Sequence, residues 1–339
     1  MWFRKLRNDE GGSVLVLAAL AIVVLLGFTA LAVDGGYLYH RNTRLQDIAD
    51  ACALAGAMQI GETTGSDTDK KDAAMLKAVD YAEKNGIDVI GTTGYTRNVK
   101  YSNGDNGTMT VTFPNGVKDV KVAFSIDTKL FFARVLGFDQ TPVASSGKAR
   151  LGTAKSASGE GLVPIALIWD KNKQDDDPYN DDYVIGNTYE LAEYPGKGTR
   201  GNYNYLDFKK LPGGGDKEKG SQFEWDLKWG FGGTLSEGQV VPTNPGITAG
   251  QVDGAINGID GRIAQGRTEI LVPIFDAQEF SGVHGKSDLT IIGFAKLQII
   301  SYDKHTKSLK AKFIKEVANA PINDGEETEF FMKSVQLVE

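Results

Sequence analysis

The N-terminal part of the chain changes its pattern of apolar and polar positions in steps. Residues 14 to 33, "VLVLAALAIVVLLGFTALAV", are consecutive and uncharged. At about 1.5 Å per residue, a helix of that length crosses a hydrocarbon core of roughly 30 Å. Asp34-Gly35-Gly36 follows, and because glycine costs up to about 1 kcal/mol in a helix interior and tolerates bending, the sequence predicts a flexible joint there. Further on, Leu38, Leu45, Ile48, Cys52 and Ala55 or Gly56 recur at helical spacing, with Arg41, Arg44 and Asp47 mostly off that stripe. This predicts an amphipathic continuation of the helix over residues 34–60. Ala49, Ala53, Gly56 and Ala57 fall along one side of it. Residues without long side chains allow close approach; the expected partner is the strand region Val99 to Ile126, and the alternative is the same helix in neighbouring copies.

From Ser66 the pattern "SDTDKKDAAMLKAVDYAEKNG" places acidic residues early, then Ala73, Ala74, Leu76, Ala78, Val79 and Ala82, with Gly86 as a stop. It predicts a second helix. Strict alternation then takes over at Val99 and Tyr101, at Met109, Val111 and Phe113, and at Val120, Val122, Phe124 and Ile126, around Asn-Gly turns. That is the pattern of a three-stranded antiparallel meander. "TKLFFARVLG" predicts a short apolar helix closed by Gly137, and "PVASSGKARLG" a returning fourth strand. "TAKSASGEG", Thr153 to Gly161, is small and polar and marks a boundary. Beyond it, "LVPIALIW", "DYVIGNTYEL", "NYLDF", "TEILVPIFD", "LTIIGFAKLQIISYD" and "LKAKFIKEV" read as strands. One helix is predicted from Thr248, where "TAGQ" is a capping box followed by Val252, Ala255, Ile256, Ile259 and Ile263. The expected fold is α+β: a long N-terminal transmembrane helix on a small antiparallel sheet, then a mostly-β C-terminal domain with one helix. The expected segments are 1–12 (basic flank), 13–33 (transmembrane), 34–60 (amphipathic continuation), 61–152 (small α+β domain) and 153–339 (C-terminal domain).

Charge adds an orientation. The net charge of -7 includes a basic N-terminal flank with Arg4, Lys5 and Arg7. Basic residues before an apolar span and an acidic body after it predict a cytoplasmic N-terminus and an exported body. No Lys/Arg stripe is present, which argues against nucleic acid as a partner. A cleaved signal peptide is the alternative to an anchor, since "ALA" at Ala30 to Ala32 fits a peptidase site; the apolar run, however, is longer than the about 7 to 15 residues of a signal core. Cys52 is the single cysteine, so no internal disulfide can form, and an Ala-rich setting predicts a small buried thiol.

The stretch "DEGGSVLVLAALAIVVLLGFTALAVDGGYLYHRNTRLQDIADACALAGA" resembles the N-terminal module of TadE/TadG-like proteins of the Flp (Tad) pilus-assembly system. The matching positions are Gly11 and Gly12, Asp34, and the run Leu45, Gln46, Ala49, Asp50, Ala51, Ala53, Leu54, Ala55, Gly56. The resemblance implies a pilin-like layout and a candidate processing position at Gly12-Ser13. Pilins cut by a prepilin peptidase usually carry a Glu five residues after the glycine; this chain has Leu17 there. "NYNYLDF", "PGITAGQV", Arg262-Ile263, "ILVPIFD" and "GFAKLQI" are similar, in order, to the C-terminal region of TadG-like proteins.

Candidate chemistry is sparse. His40, His284 and His305 are far apart in the sequence, and no "GxSxG", "HExxH" or phosphate-loop motif occurs. In "DKNKQDDDPYNDD", Asp170, Asn172, Gln174, Asp176 and Asp181 fall on calcium-loop places, but Asp175 replaces the required Gly and Asp181 the bidentate Glu. A solvated acidic loop is expected, with a weak, millimolar-class calcium site as the alternative. Tyr203, Tyr205, Trp225, Trp229 and Phe231 surround a Gly-rich stretch and are expected in strand core, with a glycan platform as the alternative. The reading is a non-enzymatic, membrane-anchored pilin-like component of a Tad/Flp-type apparatus, its body at the cell surface. Its expected partners are the membrane and other pilus subunits or copies of itself, with no cofactor, nucleic acid or small-molecule substrate. The alternatives are the repeating subunit of a filament, with the apolar helices in its core, or an exported adhesive module.

Overall fold

A computed structural model describes residues 10–91, 94–169, 183–192, 205–213, 222–244, 258–281, 286–303, 308–318, 320–323 and 331–338. The chain forms two compact units, residues 1–150 with 337–339 and residues 151–336.

The first unit is organised by one helix, α1 (Glu10–Glu62), which runs unbroken through Asp34-Gly35-Gly36. The expected joint is therefore absent. A Cβ at Gly35 or Gly36 would meet nothing within 4 Å, and intrahelical hydrogen bonding on both sides outweighs a glycine cost of about 1 kcal/mol each. Helix α2 (Asp67–Lys84) begins at the capping box of Ser66 and Asp69 and ends at Asn85, with Gly86 in the left-handed region at φ 85°. Its buried face is Ala74, Met75, Ala78 and Ala82; Leu76, expected inside, is exposed.

Five antiparallel strands follow in the order β1-β2-β3-β4-β5: β1 (Ile87–Ile90), β2 (Thr96–Tyr101), β3 (Asn106–Thr112), β4 (Asp119–Lys129) and β5 (Gln140–Ala154). The alternating positions 99, 109, 111, 120, 122, 124 and 126 are buried. Strand β1 is additional to the expected meander; only Ile87 of its four residues is buried, too short a pattern to show alternation. The β4–β5 pairing runs from Asp119↔Arg150, where the guanidinium donates to both carboxylate oxygens at 2.7 and 2.9 Å, to Lys129↔Gln140 at the other end. Between these last strands the expected apolar helix is one 3-10 turn, Ala133–Leu136, closed by Gly137 at φ 91°.

The second unit opens with β6 (Ser156–Ser158), which pairs antiparallel with β9 (Thr234–Ser236). Its main sheet consists of β7 (Leu167–Trp169), β11 (Glu269–Asp276), β12 (Asp288–Asp303), β13 (Ser308–Ile314) and β8 (Thr188–Ala192), in that order, with β10 (Val240–Pro242) also on β12. β7 and β11 are parallel and the other pairs antiparallel. Both faces of the sheet are covered. Along β11, Ile270, Val272 and Ile274 enter one apolar cluster while Leu271 and Phe275 face the other, as a period of two requires. Three short helices appear among the described residues: α3 (Gln222–Trp229), α4 (Ile259–Ala264) and α5 (Ala277–Ser281). The predicted helix from Thr248 is represented by α4 alone, residues 248–257 being outside the described residues.

Helix α3 is the clearest departure from the expected pattern. Phe223, Trp225, Leu227 and Trp229 alternate with polar residues, which reads as a strand. The buried residues are instead Gln222, Phe223, Asp226 and Leu227, one face of a helix. Gln222 donates to Asp226 Oδ1 at 2.7 Å, a bond between adjacent turns that only a helix allows.

Candidate functional site

The features that bear on function lie along α1. Its inner half is apolar and uncovered: Val14 is 64% exposed, Leu25 64% and Leu31 75%. It is the one helix, among the described residues, long and apolar enough to cross a membrane. Gly12 and Ser13 have helical backbone within α1.

Covering of the helix starts just before the apolar run ends. Leu26, Gly27 and Thr29 are half-buried and Ala30 is buried. One turn on, Asp34 is buried, and its carboxylate accepts the backbone N–H of Phe131 at 3.0 Å (Oδ1), Phe132 at 3.0 Å (Oδ2) and Ala133 at 2.7 Å (Oδ2). The 3-10 turn has no capping side chain of its own, since Phe132 occupies that position. Asp34 supplies the cap from another element and satisfies amides that would otherwise lack partners. Tyr37, almost one turn further, meets Phe131 edge-on with ring centres 5.1 Å apart.

Arg41 comes next. Expected on the polar face, it is buried with Asp105: Nη2 donates to Asp105 Oδ2 at 2.8 Å and to Asn103 Oδ1 at 3.0 Å. The Tyr101 ring lies 3.6 Å from the guanidinium carbon, so the charge is held by a carboxylate and a π-face together. Gln46 donates to the Ser146 carbonyl at 3.0 Å, and Ser145 Oγ to Asn42 Oδ1 at 2.8 Å. Polar clasps thus fix α1 to the β2–β3 turn and to β5.

Past the clasps the contact becomes small and apolar. Ala49, Ala53, Gly56 and Ala57 are all buried. A Cβ on Gly147 of β5 would sit 2.4 Å from Asp50 Oδ1 and 2.6 Å from its backbone nitrogen; one on Gly56 would meet Val120 Cγ1 at 3.1 Å and the Ala74 carbonyl at 3.3 Å. Backbones approach here to distances that larger residues forbid. Cys52 is fully buried in the same contact, and burial pushes its thiol up to about 12.

Residues 12–59 match the family model of Flp pilus-assembly TadE/G-like proteins. The match thus covers the apolar run, Asp34, Arg41 and the small-residue stripe, and stops near the end of α1. No curated protein and no solved structure matches the chain.

The other sequence-derived candidates do not converge on this region. Asp170, Asn172, Asp176 and Asp181 lie outside the described residues, as do Tyr203, His284 and His305. His40 is exposed on α1. Among the described residues, no group of three or more His, Cys, Asp or Glu is arranged to hold a metal ion. Of the aromatic set, Tyr205 and Phe231 are inside the two apolar clusters of the second unit and cannot face a ligand. Trp225 and Trp229 sit 6.0 Å apart on α3, and the Trp229 ring carries Lys228 and Arg267 at 4.8 and 4.9 Å. A cleft of about 410 Å³ in the second unit is lined by Glu160, Arg262, Arg267, Glu269 and Lys296. Its cations are committed: Arg267 to Glu160, and Lys296 to Glu269 and Glu316. Buried Arg262 donates to the carbonyls of Leu227, Lys228, Glu160 and Glu269. Desolvation lowers its pKa to about 10, so it stays charged at neutral pH and ties the end of α3 to β11.

What sequence reasoning missed is the partnering of α1. For Asp34 the local sequence pointed elsewhere: "DTKLFFARVL" offers Thr128 as a nearby cap, whereas the turn begins only after Phe132 and takes its cap from α1. For Arg41 the pattern alone placed a charge on the polar face, and its buried partner lies sixty-four residues away.

Proposed function

We propose that the chain is a non-enzymatic, membrane-anchored component of a Tad/Flp-type pilus-assembly apparatus. Val14–Val33 crosses the bilayer, Arg4, Lys5 and Arg7 stay in the cytoplasm, and the two-unit body lies outside and meets other pilus subunits. The observation that supports this most is the change along one helix within the TadE/G-like match, from exposed apolar residues to residues packed in a folded unit. Large exposed apolar surfaces on a folded protein mark a second solvent or a partner. The similarity of the segments from Asn202 to Ile299 to TadG-like C-terminal regions belongs to this proposal.

Alkaline extraction of membranes tests the anchor, and N-terminal sequencing of the mature chain tests its processing. Retention in the membrane pellet with residues 14–33 present is the expected result; a soluble product beginning at Val33 overturns it. Recovery of most of the protein in sheared filaments would instead establish the repeating-subunit reading, with residues 14–33 bundled against copies.

A further inference from the structure

We propose that the tip between β4 and β5, residues 130–138, is a second membrane contact, seated in the leaflet in which the apolar span ends. This rests on the anchor reading above. The tip presents Phe131, Phe132, Val135, Leu136 and Phe138 to the outside, with Val135 68% and Phe138 64% exposed. Five large apolar residues on nine positions of a soluble loop would be an unprotected patch.

Geometry decides what covers them. Val14–Val33 is just long enough for a bilayer core of roughly 30 Å, so Asp34 lies at the edge of the hydrocarbon. Three hydrogen bonds of 2.7 to 3.0 Å tie the tip directly to the Asp34 carboxylate. The tip is therefore within a side-chain length of that edge. Ala30, on the same helix face one turn toward the bilayer, is buried while Leu31 and Val33 beside it are exposed, so cover on Asp34's side of the helix reaches past the end of the apolar run.

The backbone of the tip is suited to such a place. Lipid does not solvate free amides. Beyond the N–H groups taken by Asp34, those of Leu130, Val135, Gly137 and Phe138 donate to the carbonyls of Asp139, Phe132, Arg134 and Ala133. Arg134, ion-paired with Asp139 at 3.5 Å, and Lys129 are both exposed on the same tip; long basic side chains on an apolar element reach back to headgroups. Two contacts, one helical and one at the tip, would fix the rotation of α1 about its own axis as well as its depth.

The test uses the full chain in phosphatidylcholine/phosphatidylglycerol vesicles, with a polarity-sensitive dye on Val135→Cys or Phe138→Cys in a Cys52→Ala background. Leu20→Cys serves as the lipid control. Asn115→Cys serves as the water control, since it lies beyond the opposite end of β4. The expected result is that the tip dyes are quenched by lipids carrying a nitroxide near the headgroup and are shielded from aqueous iodide, the reverse of Asn115. If Leu20 reports lipid while both tip dyes are quenched by iodide, the inference fails and the anchor stands. If Leu20 also reports water, both fail. Shielding of the tip dyes that disappears on diluting protein into excess lipid identifies another protein copy as the cover and overturns the lipid assignment.

Discussion

The two halves of α1 differ in what their apolar residues meet. In the inner half large side chains such as Leu25 and Leu31 are exposed; in the outer half one face is buried, and there the small residues Ala49, Ala53 and Ala57 are fully covered beside Leu45 and Ile48. Burial in the outer half is decided by how close two backbones can come, and Gly147 against Asp50 shows the limit. For the inner half, the proposed anchoring accounts for the exposure: side chains that would be costly in water cost nothing in hydrocarbon. Under that proposal, one unbroken helix serves two media. The row Asp34, Tyr37, Arg41, Asn42 and Gln46 lies where it passes from one to the other, and each of these residues is hydrogen-bonded or ring-packed to the sheet or its turns.

The largest effect is expected from breaking that row at its most buried pair. Asp105→Ala leaves the Arg41 guanidinium inside without its carboxylate, and removing one partner of a buried pair costs about 3 to 5 kcal/mol. Chemical denaturation of the full chain in micelles should show this loss for the folded body. A loss no larger than that of an exposed pair, under about 1 kcal/mol, would mean that Arg41 reaches water and that the outer half begins later than Asp34.

Slightly smaller, and confined to the other half, is the effect of a charge in the apolar run. Leu20→Arg should oppose insertion by about 2.5 to 3.5 kcal/mol at the centre of a span. Alkaline extraction should release more of the variant, while the denaturation midpoint of the body stays unchanged. If the midpoint falls too, the inner half packs on the body and the contrast drawn above does not hold.

The division between the halves was legible in the sequence; the way they are joined was not. Twenty uncharged positions and a small-residue stripe are local patterns, and so are the capping box of α2 and the alternation of β3 and β4. The pairings of Asp34 with residues 131–133 and of Arg41 with Asp105 span long stretches of chain, and periodicity carries no information about partners at that distance. Glycines at 35 and 36 were misleading for a related reason: propensity assigns them a local cost, while the continuity of α1 depends on what is fastened on either side. Helix α3 shows the same limit in reverse. Its alternating "FEWDLKW" fits a strand, but the sheet faces around it leave room for a short helix whose Phe223 and Leu227 enter the core. At the site itself, the apolar run followed from composition, and the polar fastenings beyond it required the fold.

Smaller again is the effect of enlarging a residue in the close contact. Ala53→Leu adds methylenes at a fully buried position and should cost about 1 to 3 kcal/mol. If the full chain in micelles loses that stability, the stripe packs within the subunit. If stability holds and pilus assembly fails, the stripe also meets other copies, and the outer half is less enclosed than the inner-outer contrast requires.

The smallest effect expected is none at all, at Cys52. Its thiol is fully buried and raised to about 12 by desolvation, so at pH 8 it is held as the unreactive thiol. In the native full chain, alkylation should be negligible over times in which an unfolded control reacts completely. Labelling then requires opening of the contact between α1, the sheet and α2, so its rate follows the stability of that contact. Ala53→Leu, next in the chain to Cys52, should therefore raise the labelling rate about five-fold or more for a loss of about 1 kcal/mol. The same rate measured in Leu20→Arg should equal that of the parent chain, because the apolar run contributes nothing to the outer contact. Fast labelling in the parent chain would show that the small-residue stripe is open to water, and then close backbone approach would not be what buries the outer half of α1.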